Sequence, residues 1–311
     1  EKLSKTFGEK NLFSDLTFGI EKGQKIALIA RNGTGKSTIL NIIGGKEIPD
    51  SGQVVLRNDI NVSYLQQDPE FAPESTVLDL IFSSHNETIN VIKQYESCMI
   101  RIEKSSNHEV PLEFEEIVRK MDHLNAWNYE NSIKQILGKF QITDLSQKAK
   151  ELSGGQKKKI SLAAAIIKEA DILILDEPTN HLDIDMIEWL EEFLKKPNLA
   201  LLMVTHDRYF LNKVCDEIIE LENGQLYRYK GNYEYYLEKK NERIENEKSE
   251  IEKARSLYKR ELEWMRKTPQ ARTTKSKSRI ESFYDIEEKA FKTQTQEMKS
   301  FGVTSERIGN K

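Results

Sequence analysis

Apolar positions follow two regimes along the chain. Up to about residue 231, short continuous apolar runs alternate with turns and with stretches of helical period; beyond it, charge dominates and apolar positions thin out. "QKIALIA" is a buried strand by its unbroken apolar run, and it is followed by a Gly-rich loop and the helix-periodic "STILNIIGG". "GQVVLRN" and "INVSYLQQ" read as short strands bounded by Gly, Asn and Asp. From about Thr76 to Lys150 the pattern is helical and polar, with "PLEFEEIVRKMDHLNAWNYENSIKQILGKF" as its clearest amphipathic part. Strands return in "DILILDEP", "LALLMVTHD" and "EIIELENGQLYRY". Alternating strands and helices predict a mostly parallel sheet flanked by helices.

After Gly231, long runs of Glu, Lys, Arg and Asn with almost no turn former predict a solvated helix to about residue 263. Leu237, Ile244, Ile251, Tyr258 and Met265 recur every seventh residue, giving a narrow apolar seam suited to one partner helix. A second helix from Ile280 supplies Phe283, Tyr284, Glu287 and Phe291. The two are expected to form an antiparallel hairpin roughly 50 Å long at 1.5 Å per residue, with Pro269 ending the first arm.

Composition narrows the function classes. With 47 basic against 51 acidic residues, the net charge of -4 hides local pattern, so no partner can be read from the sum. Two distant cysteines, Cys98 and Cys215, without companion histidines, indicate neither a disulfide framework nor a zinc site. No apolar run approaches the roughly 20 residues that span a bilayer, and "EKLSKTFGEK" is not a signal peptide. A soluble cytoplasmic protein is expected, with the sequons at Asn61 and Asn86 occurring by chance. The chain starts without Met in what reads as the middle of a strand, which suggests a fragment.

Four motifs carry chemistry. In "ARNGTGKST", Ala30 to Thr38, a strand leads into a Gly-rich loop that opens a helix. Asn32, Gly33, Thr34, Gly35, Lys36, Ser37 and Thr38 are assigned to nucleotide binding: backbone N–H groups from Gly33 to Ser37 cradle phosphate, Lys36 reaches the β- and γ-phosphates, and the Ser37 hydroxyl holds Mg²⁺. Ala30 stands where Gly is commonest, a tolerable change at negative φ. In "ILILDEP" a buried strand delivers Asp176, expected on Mg²⁺, and Glu177, expected to take a proton from the attacking water. His206 ends another apolar strand in "VTHD" and is expected near the γ-phosphate. "LSGGQ" places Ser153, Gly154, Gly155 and Gln156 at a helix N-terminus, a second anion-binding surface; a plain Ser N-cap is the alternative.

The order "ARNGTGKST", "YLQQD", "LSGGQ", "ILILDEPTNHLD", "VTHDRYF" resembles the ATP-binding cassette family. The resemblance implies an α/β P-loop cassette with a parallel-sheet core, an antiparallel β subdomain and an α-helical subdomain. It also implies that Phe7 stacks on adenine, that Gln67 meets Mg²⁺ and the attacking water, that Asp183 lies at a cassette–cassette interface, and that "LSGGQ" faces ATP held by another cassette. The cofactors implied are ATP and Mg²⁺.

"GNYEYYLEKKNER", "ELEWMRKTPQARTTKSKSRI", "FYDIEEKA" and "MDHLNAWNYENSIKQIL" resemble the ABC-F proteins, most of all the Uup-type branch. By that pattern residues 1–231 are a first cassette with a helical insertion at about 76–150, residues 232–300 a hairpin linker, and residues 301–311 the lead-in to a second cassette. The implied partners are that second cassette, or a second copy of the fragment, and a ribosome contacted at rRNA or tRNA. A lone cassette is expected to bind ATP and hydrolyse it slowly. Residues 266–279 hold six basic residues and no acidic one. Arg266, Lys267, Arg272, Lys275, Lys277 and Arg279 are read as phosphate contacts of a basic tip. A DNA-associated role and a membrane-transporter subunit are the rival readings.

Overall fold

In a computed structural model the chain forms two compact units, Glu1–Tyr236 and Leu237–Lys311. The structure describes residues 1–8, 10–83, 86–104, 111–266 and 277–301, with side chains described to residue 291.

The first unit opens with the antiparallel pair β1 (Leu3–Phe7) and β2 (Lys10–Leu16). A six-stranded sheet follows, in the order β4 (Val62–Leu65), β5 (Ile172–Asp176), β6 (Ala200–Val204), β3 (Lys25–Ala30), β7 (Glu217–Glu222) and β8 (Gln225–Lys230). All neighbours in it run parallel except β7 and β8. The antiparallel hairpin is legible in "ENGQ", where Asn223 and Gly224 both take positive φ.

Alternation along β5 explains why the central strands read as continuous apolar runs. Ile172 and Ile174 pack with Ile39 and Leu40 of helix α1 (Lys36–Ile43). Leu173 and Leu175 pack on the other face with α6 (Gly154–Ile167), α7 (Ile184–Leu194) and α8 (Arg208–Val214). A strand covered on both faces needs apolar residues at every position.

The segment 76–150 has its own core, built by α2 (Val77–Ile81), α3 (Glu87–Lys104), α4 (Phe114–His123) and α5 (Trp127–Lys139) with Ile160 and Ile167 of α6. The long amphipathic stretch is two helices, broken where Asn125 adopts φ 50°. "GQVVLRN" departs from expectation. Only Ser51 bridges, to Ser4, and residues 52–58 form no strand; Val55 and Leu56 stay exposed. Their apolar character meets no ladder partner.

Helix α9 (Tyr233–Arg266) starts inside the first unit. Tyr236 is 3% exposed and donates its hydroxyl to Glu220 Oε1 at 2.9 Å, while Leu237 is 39% exposed. The expected seam therefore begins after Leu237, because the first turn of α9 packs on β7 and β8 and so faces Tyr236 inward. In the second unit α9 pairs antiparallel with α10 (Lys277–Phe301). Tyr258 stacks on Phe283 at 5.3 Å and meets Phe291 edge-on at 5.1 Å, and Arg255 Nε donates to the Ala290 carbonyl. Ile251, Tyr258 and Met265 of the seam are half-buried.

Candidate active site

Parallel strands aim their C-terminal ends at one edge of the sheet, where ligands of open α/β sheets bind. The loops after β3, β4, β5 and β6 meet there in a cleft of about 660 Å³. It gathers Phe7, Asn32, Gly33, Gly35, Lys36, Ser37, Thr38, Gln67, Asp176, Glu177 and His206 on one surface. Thr34 does not line it; its hydroxyl donates to the Arg31 carbonyl at 2.7 Å and braces the loop.

Loop shape depends on glycine at two places. Gly33 has φ 75° and Gly35 φ 96°, and a Cβ on Gly35 would sit 3.1 Å from the Phe13 ring. L side chains avoid that backbone region. Lys36 Nζ folds into the loop, donating to the Ala30 carbonyl at 2.9 Å and to Asn32 Oδ1 at 3.2 Å. Burial holds its ammonium below the ordinary lysine value, against the pull of Glu177 and Asp176.

Asp176 and Glu177 differ in their surroundings. Asp176 is 3% exposed, and burial pushes its carboxyl above the usual range although the Ser37 hydroxyl and Lys36 oppose the shift. Asp176 Oδ2 is buried with no hydrogen-bond partner. Such an atom is costly unless something meets it. Beside the Ser37 hydroxyl, it is an oxygen that would suit a hard cation such as Mg²⁺, which is held by few carboxylates. Among the described residues no group of three His, Cys, Asp or Glu side chains could hold a metal unaided.

Glu177 sits on a left-handed backbone, φ 53°, just past the strand. Its N–H donates to the Val204 carbonyl at 2.8 Å. Its carboxylate accepts the His206 N–H at 3.3 Å on Oε2, and His206 Nε2 lies 3.5 Å from Oε1. Burial raises the Glu177 carboxyl while His206 and Thr205 pull it down. A carboxylate with an elevated pKa, held at a cleft edge, suits a general base.

The remaining assignments lie elsewhere. Ser153 caps α6 in a full capping box, its Oγ accepting the Gln156 N–H at 3.2 Å and its own N–H reaching Gln156 Oε1 at 2.9 Å. Gly154 and Gly155 follow it, with Gly155 facing His181. None of the four lines the cleft. Asp183 caps α7, accepting the Met186 N–H at 2.9 Å. Arg266 ends α9, and Lys277 and Arg279 begin α10; Lys267, Arg272 and Lys275 lie outside the described residues. Lys10, Leu12 and Asn180 also line the cleft and were missed. Lys10 stands in no motif and comes near only because β2 packs beside the loop, where it donates to the Gly33 carbonyl at 2.9 Å.

The family described as ABC transporter matches residues 13–180, and an extension model of the same description matches residues 219–301. The chain belongs to the ABC transporter family of ATP-binding domains. Its relatives include the uncharacterized ABC transporter ATP-binding protein YfmR of Bacillus subtilis, 42% identical over 99% of this chain and 49% of that one. The energy-dependent translational throttle protein EttA of Mycobacterium tuberculosis is 32% identical over 100% of this chain and 56% of that one. The ATP-binding protein Uup of Haemophilus influenzae is 34% identical over 88% and 42%. EttA and Uup are ABC-F proteins, as the motifs indicated. The chain thus spans about half the length of the curated relatives it matches. An ABC transporter ATP-binding subunit matches its fold with TM-score 0.55 at 22% identity, over 74% of this chain and 88% of that one. No helix among the described residues is long and apolar enough to cross a membrane.

Proposed function

We propose that the chain is an ABC-F cassette that binds ATP with Mg²⁺, hydrolyses it when paired with a second cassette, and acts in the cytoplasm on the ribosome. The observation that carries the catalytic part is the convergence of Lys36, Ser37, Gln67, Asp176, Glu177 and His206 from four separate loops on one cleft.

Phe7, 77% exposed at the cleft rim, offers its face to adenine. Lys36 leaves its loop carbonyls for the β- and γ-phosphates, joined by the backbone N–H groups of the loop and the start of α1. Ser37, Asp176 and Gln67 would hold Mg²⁺, which would offset charge on the phosphates when bound. Glu177 accepts a proton as water attacks the γ-phosphorus, and His206 keeps the carboxylate in place. The bond to the β-phosphate oxygen breaks, giving ADP and phosphate. Ser153 to Gln156 and Asp183 serve a neighbouring cassette, whose own counterparts complete this site. Closure of two cassettes around nucleotide and reopening after hydrolysis give the two states that a partner can sense.

The translational reading is supported by the name of EttA and by the basic run between α9 and α10. Arg266, Lys267, Arg272, Lys275 and Lys277 are the proposed phosphate contacts. The test is ribosome co-sedimentation of the two-cassette parent with Glu177→Gln and its counterpart. Retention with ATP alone supports the reading. Binding to branched DNA with no ribosome retention overturns the ribosomal part and leaves the hydrolase.

A further inference from the structure

The cleft contains a cation that the steps above leave without a part. Lys10 and Phe7 are the directly opposed pair nearest the turn of the β1–β2 hairpin, and opposed residues of an antiparallel pair leave the ladder on one face, with Cβ atoms about 5 Å apart. Both line the cleft. Lys10 Nζ donates to the Gly33 carbonyl at 2.9 Å, and a Cβ built on Gly33 would stand 3.8 Å from the same Nζ. Two residues on, Leu12 also lines the cleft, and its Cβ is 3.3 Å from where one on Gly35 would be. Strand β2 thus lays alternate side chains along the phosphate loop, and Lys10 spans the gap between that loop and Phe7.

This position selects one part of the ligand. A nucleotide with its base on Phe7 and its β- and γ-phosphates at Gly33 to Ser37 has the ribose and the α-phosphate in between. An ammonium has three protons to give and accepts nothing. One goes to the Gly33 carbonyl, and among the described residues no carboxylate pairs with Lys10, which is exposed. Two protons and a full charge remain for a ligand. A phosphate oxygen gains more from them than a ribose hydroxyl does, because hydrogen bonds between charged groups are the stronger kind. We propose that Lys10 binds the α-phosphate of ATP while keeping its bond to Gly33, tying the adenine platform to the phosphate loop.

This rests on the nucleotide reading of the cleft. The α-phosphate keeps its bonds and its charge through hydrolysis, so a contact to it contributes to affinity for ATP, ADP and AMP alike and not to the step at the γ-phosphorus. A Lys10 that only braced Gly33 makes different predictions, because its loss would loosen the loop with no nucleotide present.

The experiment measures Kd for ATP, ADP and AMP by competition with a fluorescent nucleotide, the melting temperature without nucleotide, and single-turnover hydrolysis with the chain at saturation and concentrated enough to pair. Loss of a hydrogen bond between charged groups predicts that Lys10→Gln raises Kd about tenfold for each of the three nucleotides. The saturated rate and the nucleotide-free melting temperature hold, and Lys10→Arg, which keeps the charge, recovers most of the lost affinity. The proposal is overturned if Lys10→Gln binds all three nucleotides as wild type does, if AMP affinity holds while ATP affinity falls, or if Lys10→Arg is as weak as Lys10→Gln. It is also overturned, in favour of a loop brace, if the saturated rate or the nucleotide-free melting temperature falls with the affinity. A Lys36→Ala chain that binds ATP as tightly as wild type overturns the nucleotide reading of the cleft itself, whatever Lys10 does.

Discussion

Arg279 closes on Glu261 across the helical hairpin through two hydrogen bonds, Nε to Oε2 at 2.8 Å and Nη2 to Oε1 at 3.0 Å. Its guanidinium also lies 4.0 Å from the centre of the Trp264 ring. A planar fork is matched to a carboxylate in a way that an ammonium is not. Sequence placed Arg279 among the phosphate contacts; its geometry gives it a task within the hairpin. Arg279→Lys and Arg279→Gln are both expected to speed hydrogen exchange across 255–266 and 277–291. Lys277→Gln is expected to leave exchange unchanged and to lower the salt slope of RNA binding by about one. Equal exchange in all three variants counts against the division of labour.

Glu177→Gln is expected to cut hydrolysis by at least about a hundredfold while ATP still binds. The same change has a thermal signature. Burial raises the Glu177 carboxyl above its ordinary value, so the folded form favours the protonated group. The stability this linkage gives is present below the ordinary carboxylate range and is lost as pH rises through the folded value. At neutral pH wild type bears the cost of a buried charge, and the neutral Gln does not. Melting temperature should therefore be higher for Glu177→Gln at pH 7.5, with the gap closing toward pH 4.

Gly154 separates fold from function at the signature segment. A Cβ there would meet nothing within 4 Å, and alanine is the better helix former by about 1 kcal/mol. Gly154→Ala should melt no lower than wild type. If the bare N–H surface receives a neighbour's phosphate, hydrolysis by paired cassettes falls while ATP affinity of the single chain holds. A drop in melting temperature would return Gly154 to a structural role.

Tyr236→Phe removes the hydroxyl that donates to Glu220, a carboxylate 3% exposed. Tyr229 still reaches Glu220 Oε2, at 3.5 Å. Weakening the solvation of a buried carboxylate costs about 1–3 kcal/mol, so a lower denaturant midpoint is expected, with unchanged ATP affinity.

The phosphate loop and both strand-end motifs were legible because their signal is local: an apolar run, a break, and a polar residue at a fixed offset. Ser153 was legible as a cap for the same reason, whereas the capping role of Asp183 came only with the structure. What escaped was decided by distant partners. Nothing in "VVL" announces that Val55 and Leu56 stay exposed, and nothing in a seven-residue repeat says that the first turn of α9 turns Tyr236 inward onto β7 and β8 and leaves Leu237, the first member of the repeat, 39% exposed. Arg279 looks like any basic residue until Glu261 and Trp264 stand next to it.

Glu177 is one of the non-glycine residues with positive φ, and for an L residue that conformation costs about 1–2 kcal/mol. Asn or Gly would occupy the bend more comfortably. Selection for heat resistance alone would therefore drift position 177 toward those residues and discard the carboxylate, while selection for turnover holds Glu in a bend it does not favour. A library screened both ways should split first at this position.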